Sequence, residues 1–304
     1  MSVSIFKPAY LKPKYWSSWL VVGLSYLLAK LPSSWQASLS RKLASRLAAT
    51  RNSRLRTIRR NIERCFPEKT PSSQAIMLEE NLYSSLLMVF DLVNMVWRTP
   101  AKMTGTVRVI GEEYLQQAVA NESGLLLLTG HFTPLCQMFS TLATLEAYHS
   151  MYRRMDNPVL EAQLYQRAIA KYPLELIHRK DVKDMLAKLS EKGTVAIVPD
   201  QDFGVNRGCF VPFFGIQTAT ITSIPQYVKQ TGAQLLMFSA YREPGGCVME
   251  FEPIIENYPS GDDIADTQYW SNWLEAKIRQ HPADYLWMHK RFKTRPEGEE
   301  AFYS

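Results

Sequence analysis

Short apolar runs recur through the last two thirds of the chain, at 107–110, 125–129, 150–153, 174–177, 194–198, 235–240 and 248–251. Each has the length of a strand. Positions 125–128 are four consecutive leucines, the pattern of a strand buried on both faces. Between several runs lie stretches long enough for helices, at 134–145, 158–171, 182–191, 221–231 and 267–280. Strand–helix alternation predicts an α/β body with a largely parallel sheet flanked by helices. In such sheets, sites form at the carboxyl ends of strands. The segment Phe210-Val-Pro-Phe-Phe-Gly215 is apolar without a clear period. It reads as a loop that lines an acyl channel, dips into lipid or packs in the core.

The first hundred residues are different. Lys7, Lys12 and Lys14 precede an uncharged stretch, 15–29, rich in Trp16, Trp19, Leu20, Val21, Val22, Leu24, Leu27 and Leu28. Lys30, Leu31 and Pro32 end it. A spanning helix needs about 20 apolar residues, and no small-x-small cleavage pattern follows as in a signal peptide. The stretch is expected to be an N-terminal membrane-anchor helix, either a short transmembrane helix or one lying in the interface. A buried helix of the body is the alternative. The expected organisation is 1–35 as the anchor, 36–104 as a basic helical segment packed on the body, and 105–304 as the α/β domain. No repeat or Gly/Ser-rich linker interrupts it.

Charge sharpens the N-terminal reading. The chain has 304 residues, 35 Lys plus Arg against 29 Asp plus Glu, and a formal charge of +6. Residues 41–69 hold ten basic and two acidic side chains, a local +8, so the remainder is slightly acidic. A cationic helical segment directly after an apolar one fits contact with anionic lipid and a cytoplasmic body. A solvated helix face is the alternative. No helix-turn-helix, zinc-finger or RNP pattern accompanies the charge, which argues against nucleic acid. Cys65, Cys136, Cys209 and Cys247 are scattered, and the five histidines show no metal-site spacing, so neither a zinc site nor a disulfide framework is expected.

The candidate chemistry begins at Gly124-Leu-Leu-Leu-Leu-Thr-Gly130-His131-Phe-Thr-Pro-Leu-Cys136. His131 follows a buried strand and precedes a helix whose start is marked by Thr133 and Pro134. An imidazole there is a reasonable general base, with a hydrogen-bonded structural histidine as the alternative. Three further strand ends bring Arg153 with Asp156-Asn157-Pro158, Arg179-Lys180-Asp181, and Asp200-Gln201-Asp202 towards the same edge. Arginines suit phosphate or oxyanion contacts. The aspartates are suited to orienting a base or capping helices, and capping is preferred for Asp181.

Taken in order, these segments resemble a known family. The resemblance runs from Lys12-Pro-Lys-Tyr-Trp-Ser-Ser-Trp19 and Asn61-Ile-Glu-Arg-Cys-Phe-Pro67 through the Gly130-His131-Phe132 turn and the three strand ends. It continues through Phe210–Gly215 and ends at Trp287-Met-His289-Lys290-Arg291-Phe292-Lys293-Thr294-Arg295-Pro296. The chain looks like the late acyltransferases of lipid A biosynthesis, the lauroyl/myristoyl transferases of Gram-negative bacteria. This resemblance implies a glycerolipid-acyltransferase-like fold at the bacterial inner membrane, facing the cytoplasm. It implies acyl carrier protein as donor, a hydroxyl of an anionic lipid A precursor as acceptor, and no cofactor or metal.

The family carries a His-x4-Asp/Glu pair. His131 matches its histidine, but Cys136 stands where the acid belongs. Three ways round this departure are open. Cys136 could ionise in the first turn of its helix and replace the carboxylate. Asp200 or Asp202 could approach from a neighbouring strand. The protein could instead be a weak or inactive lipid-binding paralogue, or act on a different lipid acceptor. The expected catalytic residues are His131, Cys136 and Arg153, the last for the oxyanion. The expected substrate-binding residues are Asn157, Arg179, Asp200, Asp202, Lys290, Arg291, Lys293 and Arg295.

Overall fold

A computed structural model describes residues 6–50 and 52–303. Arg51, and the side chains of Ser53 and Arg54, lie outside the described part of the basic segment. Helices come first: α1 (Trp16–Lys30), α2 (Ser33–Ala48), α3 (Ser53–Cys65), α4 (Pro71–Trp97) and α5 (Pro100–Thr104). The alternating body then runs β1 (Val107–Ile110), α6 (Glu112–Ala120), β2 (Leu125–Leu128), α7 (Leu135–Leu145), β3 (Tyr148–Tyr152) and α8 (Pro158–Leu160). A π-helical stretch, Glu161–Gln166, joins α8 to α9 (Arg167–Ile169). Then come β4 (Leu174–His178), α10 (Val182–Ser190), β5 (Thr194–Ile197), β6 (Gly208–Phe213), β7 (Ile216–Ile221) and α11 (Ser223–Thr231). The last elements are β8 (Gln234–Glu243), β9 (Gly246–Phe251) and α12 (Asp263–Gln280).

Seven strands form one sheet in the order β1-β9-β8-β2-β5-β3-β4. Every pair is parallel except the β8–β9 hairpin. The expected α/β architecture with a largely parallel, helix-flanked sheet is therefore present. The central strands β2 and β5 are buried at every position, as their all-apolar runs require. Two apolar clusters, one on each face, use alternate residues of β2: Leu126 and Leu128 on one, Leu125 and Leu127 on the other.

The expected loop at 210–215 is instead the end of β6 and the turn of a two-stranded antiparallel ribbon, β6–β7, outside the main sheet. Val211 and Phe213 are buried while the intervening Pro212 is exposed, a strand alternation that proline obscures. Its apolar face packs in the core beside Trp287 and Phe292.

The N-terminal helix is not a span. Among the described residues, no helix is long and apolar enough to cross a membrane. α1 has 15 residues, about 22 Å at 1.5 Å per residue, against a hydrocarbon core of about 30 Å. One of its faces also packs on protein. Ser18, Val22, Ser25 and Ala29 are buried, Trp97 donates to Ser25 Oγ at 2.9 Å, and Asn157 donates to Ser18 Oγ at 2.8 Å. The opposite face leaves Trp16, Leu20, Leu24 and Leu27 exposed, the last three by half to three quarters. The expected transmembrane helix is thereby corrected to a helix with one packed and one open apolar face.

Part of the basic segment is likewise committed to packing. Arg41 pairs with Glu80 at 2.5 Å and lies 3.7 Å from the Tyr83 ring centroid, and Arg60 donates to Phe302 O.

Candidate active site

β2 and β5 are neighbours in parallel register, Leu125 on Thr194 and Leu128 on Ile197. The same offset, carried three residues beyond each strand, sets His131 beside Asp200. His131 Nδ1 is 2.5 Å from Asp200 Oδ1, and the His131 backbone N–H donates to Asp200 Oδ2 at 2.9 Å. Tyr285 O–H donates to the same Oδ2 at 3.0 Å. Both carboxylate oxygens are thus held, and the acid is buried.

Gly130 makes the turn possible. A Cβ at this position would lie 2.5 Å from Leu274 Cδ1 and 3.3 Å from the Phe132 ring. α12 packs directly over the backbone, and a larger residue would push the turn away from Asp200.

The electrostatics follow from this contact. Burial alone would raise the Asp200 pKa. The imidazole's charge, its hydrogen bonds and the nearby Arg291 outweigh that and hold the carboxyl well below its usual range. Burial disfavours the His131 cation, but the Asp200 charge and hydrogen bond overcome it, so the imidazole sits above its ordinary value. With Nδ1–H given to Asp200, the lone pair lies on Nε2. Gln201 Nε2 is 3.2 Å from that atom. The His289 ring lies 5.0 Å from the His131 ring, and burial followed by the charge of His131 lowers its pKa, so it is neutral.

A C-terminal strap holds this arrangement. Thr133 N–H donates to Asp284 O at 2.7 Å, Leu286 N–H to His131 O at 2.9 Å, and Phe132 bridges Tyr285. The strap is fixed from behind by two buried asparagines. Asn61 on α3 donates to Trp287 O and His289 O, and Asn81 on α4 to Ala283 O and Tyr285 O. Beneath them, Arg242 and Asp91 form a buried pair at 2.7 Å, and Ser84 bridges Asp284 and Thr133. Tyr285, Asn61, Asn81 and Gln201 were not expected as site residues. Asn61 and Gln201 stand in segments the resemblance singled out, which was the available signal.

Cys136 does not replace the acid. Its thiol packs with the core near Tyr148 on the opposite face of the sheet. Burial, with the neighbouring Asp91, pushes it up to about 12 against the opposing pull of Arg242. At neutral pH it is a thiol, and the imidazole nitrogen it would have served is already taken by Asp200.

The other expected residues divide. Arg153 lies two strands away from β2, is two-thirds exposed, and faces Asp156 at 3.7 Å without touching the pair. Asn157 caps α8, accepting from Val159 and Leu160 N–H, and clamps Ser18 of α1. Asp181 caps α10 as expected. Asp202 accepts from the Thr294 N–H at 2.6 Å and hydroxyl at 2.8 Å, holding the C-terminal segment. Arg291 is buried and donates to Ala219 O at 2.6 Å, Thr220 Oγ1 at 2.7 Å and Gln201 O at 3.3 Å. It ties β7 to the β5 exit and is not open to a ligand. Arg295 donates to Gln217 O and pairs with Glu299. Arg179, Lys290 and Lys293 are exposed cations. Among the described residues, no cluster suited to a metal ion occurs.

An imidazole oriented by a buried carboxylate at a strand end, with its second nitrogen bonded to no more than an amide, has the chemistry a general base requires. The sequence profile of bacterial lipid A biosynthesis acyltransferases matches residues 3–294, and the chain belongs to that family. It is 32% identical over 303 residues to the lipid A biosynthesis lauroyltransferase of Escherichia coli K12, covering 98% of each chain. Identity is 27% over 302 residues to the palmitoleoyltransferase of the same organism, again covering 98% of each chain. It is 23% over 301 residues to its myristoyltransferase, covering 97% of this chain and 92% of the relative. The protein is an acyltransferase of lipid A biosynthesis.

Proposed function

We propose that the protein moves a fatty acyl group from acyl carrier protein to a hydroxyl of a lipid A precursor, with His131 as the general base. The observation that carries this reading is the His131–Asp200 pair, which leaves Nε2 with the Gln201 amide at 3.2 Å. The acceptor hydroxyl displaces the Gln201 amide from Nε2 and passes its proton there as its oxygen bonds to the thioester carbonyl carbon. The C–S bond then breaks, and the imidazolium returns the proton to the departing thiolate. Asp200 stabilises the imidazolium through both steps. The Gln201 amide, once displaced, is a donor on hand for the developing oxyanion.

The open face of α1 supports a membrane-surface setting on the cytoplasmic side of the inner membrane. Trp16, Leu20, Leu24 and Leu27 fall on one side of the helix, and the cationic segment follows directly. Against the inactive-paralogue reading, which rests on Cys136, stands the Asp200 carboxylate beside His131 Nδ1. Mass spectrometry of lipid A from cells lacking the protein tests the reading. One secondary acyl chain should be missing and return with the wild-type chain. An unchanged lipid A profile would reject it.

A further inference from the structure

We propose that the cleft between the α1–α2 elbow and the end of α4 binds the phosphate headgroup of an anionic membrane phospholipid. The cavity has a volume of about 400 Å³, and its lining includes Lys30, Leu31, Ser33, Trp97, Arg98 and Lys102. Three cations and no carboxylate are among the lining residues. That size accommodates a small-molecule headgroup.

The cations are placed rather than merely nearby. The Arg98 Nε–H donates to Ala29 O at 3.1 Å, Nη2 to Leu31 O at 2.7 Å and Nη1 to Ser33 Oγ at 3.1 Å. A guanidinium has five N–H groups, so two are left for a ligand. The Lys30 ammonium lies 5.0 Å from the Tyr26 ring centroid, and Tyr26 packs edge-on against Trp97 at 5.2 Å.

The helix-end carbonyls beside the cleft are met by Arg98 and Lys171. Arg98 meets the terminal carbonyls of α1, and Lys171 meets those of α4 through Met95 O, Val96 O and Arg98 O. Among the described residues, neither Lys30 nor Lys102 pairs with a carboxylate.

The position selects a lipid over other anions. Leu27 is 63% exposed and Leu24 53%, both on α1 leading up to the cleft. An anionic headgroup seated on Lys30, Arg98 and Lys102 would leave its acyl chains along that face. Along α4, Arg98 is 14 residues from Ser84, which touches Thr133 beside the base, or about 21 Å of helix. The cleft is therefore separate from the transfer site. The assignment rests on the reading that the open face of α1 lies against a membrane.

The test is calorimetric titration of the full chain with dihexanoyl phosphatidylglycerol, dihexanoyl phosphatidylcholine and inorganic phosphate. The variants are Lys30→Gln/Lys102→Gln and a control pair, Lys183→Gln/Lys229→Gln. Arg98 is left intact because it caps α1. Phosphatidylglycerol should bind saturably, one to one, and tighter than the other two probes. The cleft pair should weaken it about 25-fold at low salt, roughly fivefold per lysine, and the control pair should not. Absence of saturable binding, or equal weakening in both pairs, overturns the site. Inorganic phosphate binding as tightly as phosphatidylglycerol overturns the lipid assignment. The titration needs no acyl transfer. A chain that binds the lipid but transfers nothing rejects the transferase reading alone, and one that floats with vesicles and transfers but shows no saturable binding rejects the cleft alone.

Discussion

Replacing Asp200 by asparagine keeps the shape of the side chain and removes its charge. In the native chain the carboxylate accepts from the His131 ring at 2.5 Å, the His131 backbone at 2.9 Å and Tyr285 at 3.0 Å. An asparagine has one acceptor oxygen and must turn its NH₂ towards donors or towards the imidazole. In the second case the ring flips tautomer and Nε2 carries a proton, which disables it as a base. In serine-protease triads the equivalent change lowers turnover by about 10⁴, or roughly 5.5 kcal/mol of barrier. A loss of about 10²–10⁴ is expected here, the range of general-base catalysis. A second signature separates this role from a structural one. Asp200 is what lifts the imidazole against burial. Without it, the acid limb of the kcat/KM profile should move to lower pH, because the remaining burial favours neutral histidine. The mismatched donor should also cost roughly 1–3 kcal/mol of stability, read as a Tm lower by a few degrees. The assay is acyl transfer from acyl carrier protein to a lipid A precursor across pH. A folded Asp200→Asn chain within tenfold of wild type, with an unmoved acid limb, would refute the reasoning.

Other outcomes follow from the same geometry. Cys136→Ala should leave turnover within about threefold and cost about 1 kcal/mol in denaturant unfolding, whereas a catalytic thiolate predicts a collapse in rate. Cys136→Glu, which restores the acid of the family motif, should lower Tm rather than raise the rate, since it buries a carboxyl beside Asp91. Arg242→Ala leaves Asp91 unpaired in the interior and should cost roughly 3–5 kcal/mol, measured by the same unfolding. The His131–Asp200 pair also makes stability depend on pH. The raised imidazole stabilises fully below its unfolded value of 6.5 and loses this as pH climbs through its folded value. The depressed carboxyl stabilises fully above 3.8 and loses this as pH falls through its folded value. The Tm gap between wild type and His131→Gln should thus be widest between pH 3.8 and 6.5 and narrow on either side.

Much of this architecture was legible in the sequence because burial leaves a mark there. The Leu125–Leu128 run, the strands at 107–110 and 194–198 and the helix at 182–191 were found to within a residue or two. The β6–β7 ribbon was hidden because Pro212 sits in a strand, which only an edge position allows. The site was half legible. His131 was marked by its place after a buried strand, and Asp200 by an identical place after another. Which of several acids would reach the imidazole depended on the β2–β5 register, and pairing register across 69 residues leaves no local trace. Arg291 misled for a related reason. A cation in a basic cluster reads as a ligand contact, but its carbonyl partners on β7 are brought to it only by folding. The N-terminal helix misled by composition, since fifteen uncharged residues resemble a short span until one face is seen packed on α4 and α8.

The most direct test of the central claim is a comparison of purified wild type with His131→Ala, using an acyl carrier protein thioester and a lipid A precursor, with product followed by mass spectrometry. The account predicts a single added acyl ester from the wild type and a rate lower by at least 10² in the variant, with its fold intact. Undiminished transfer by folded His131→Ala would contradict it.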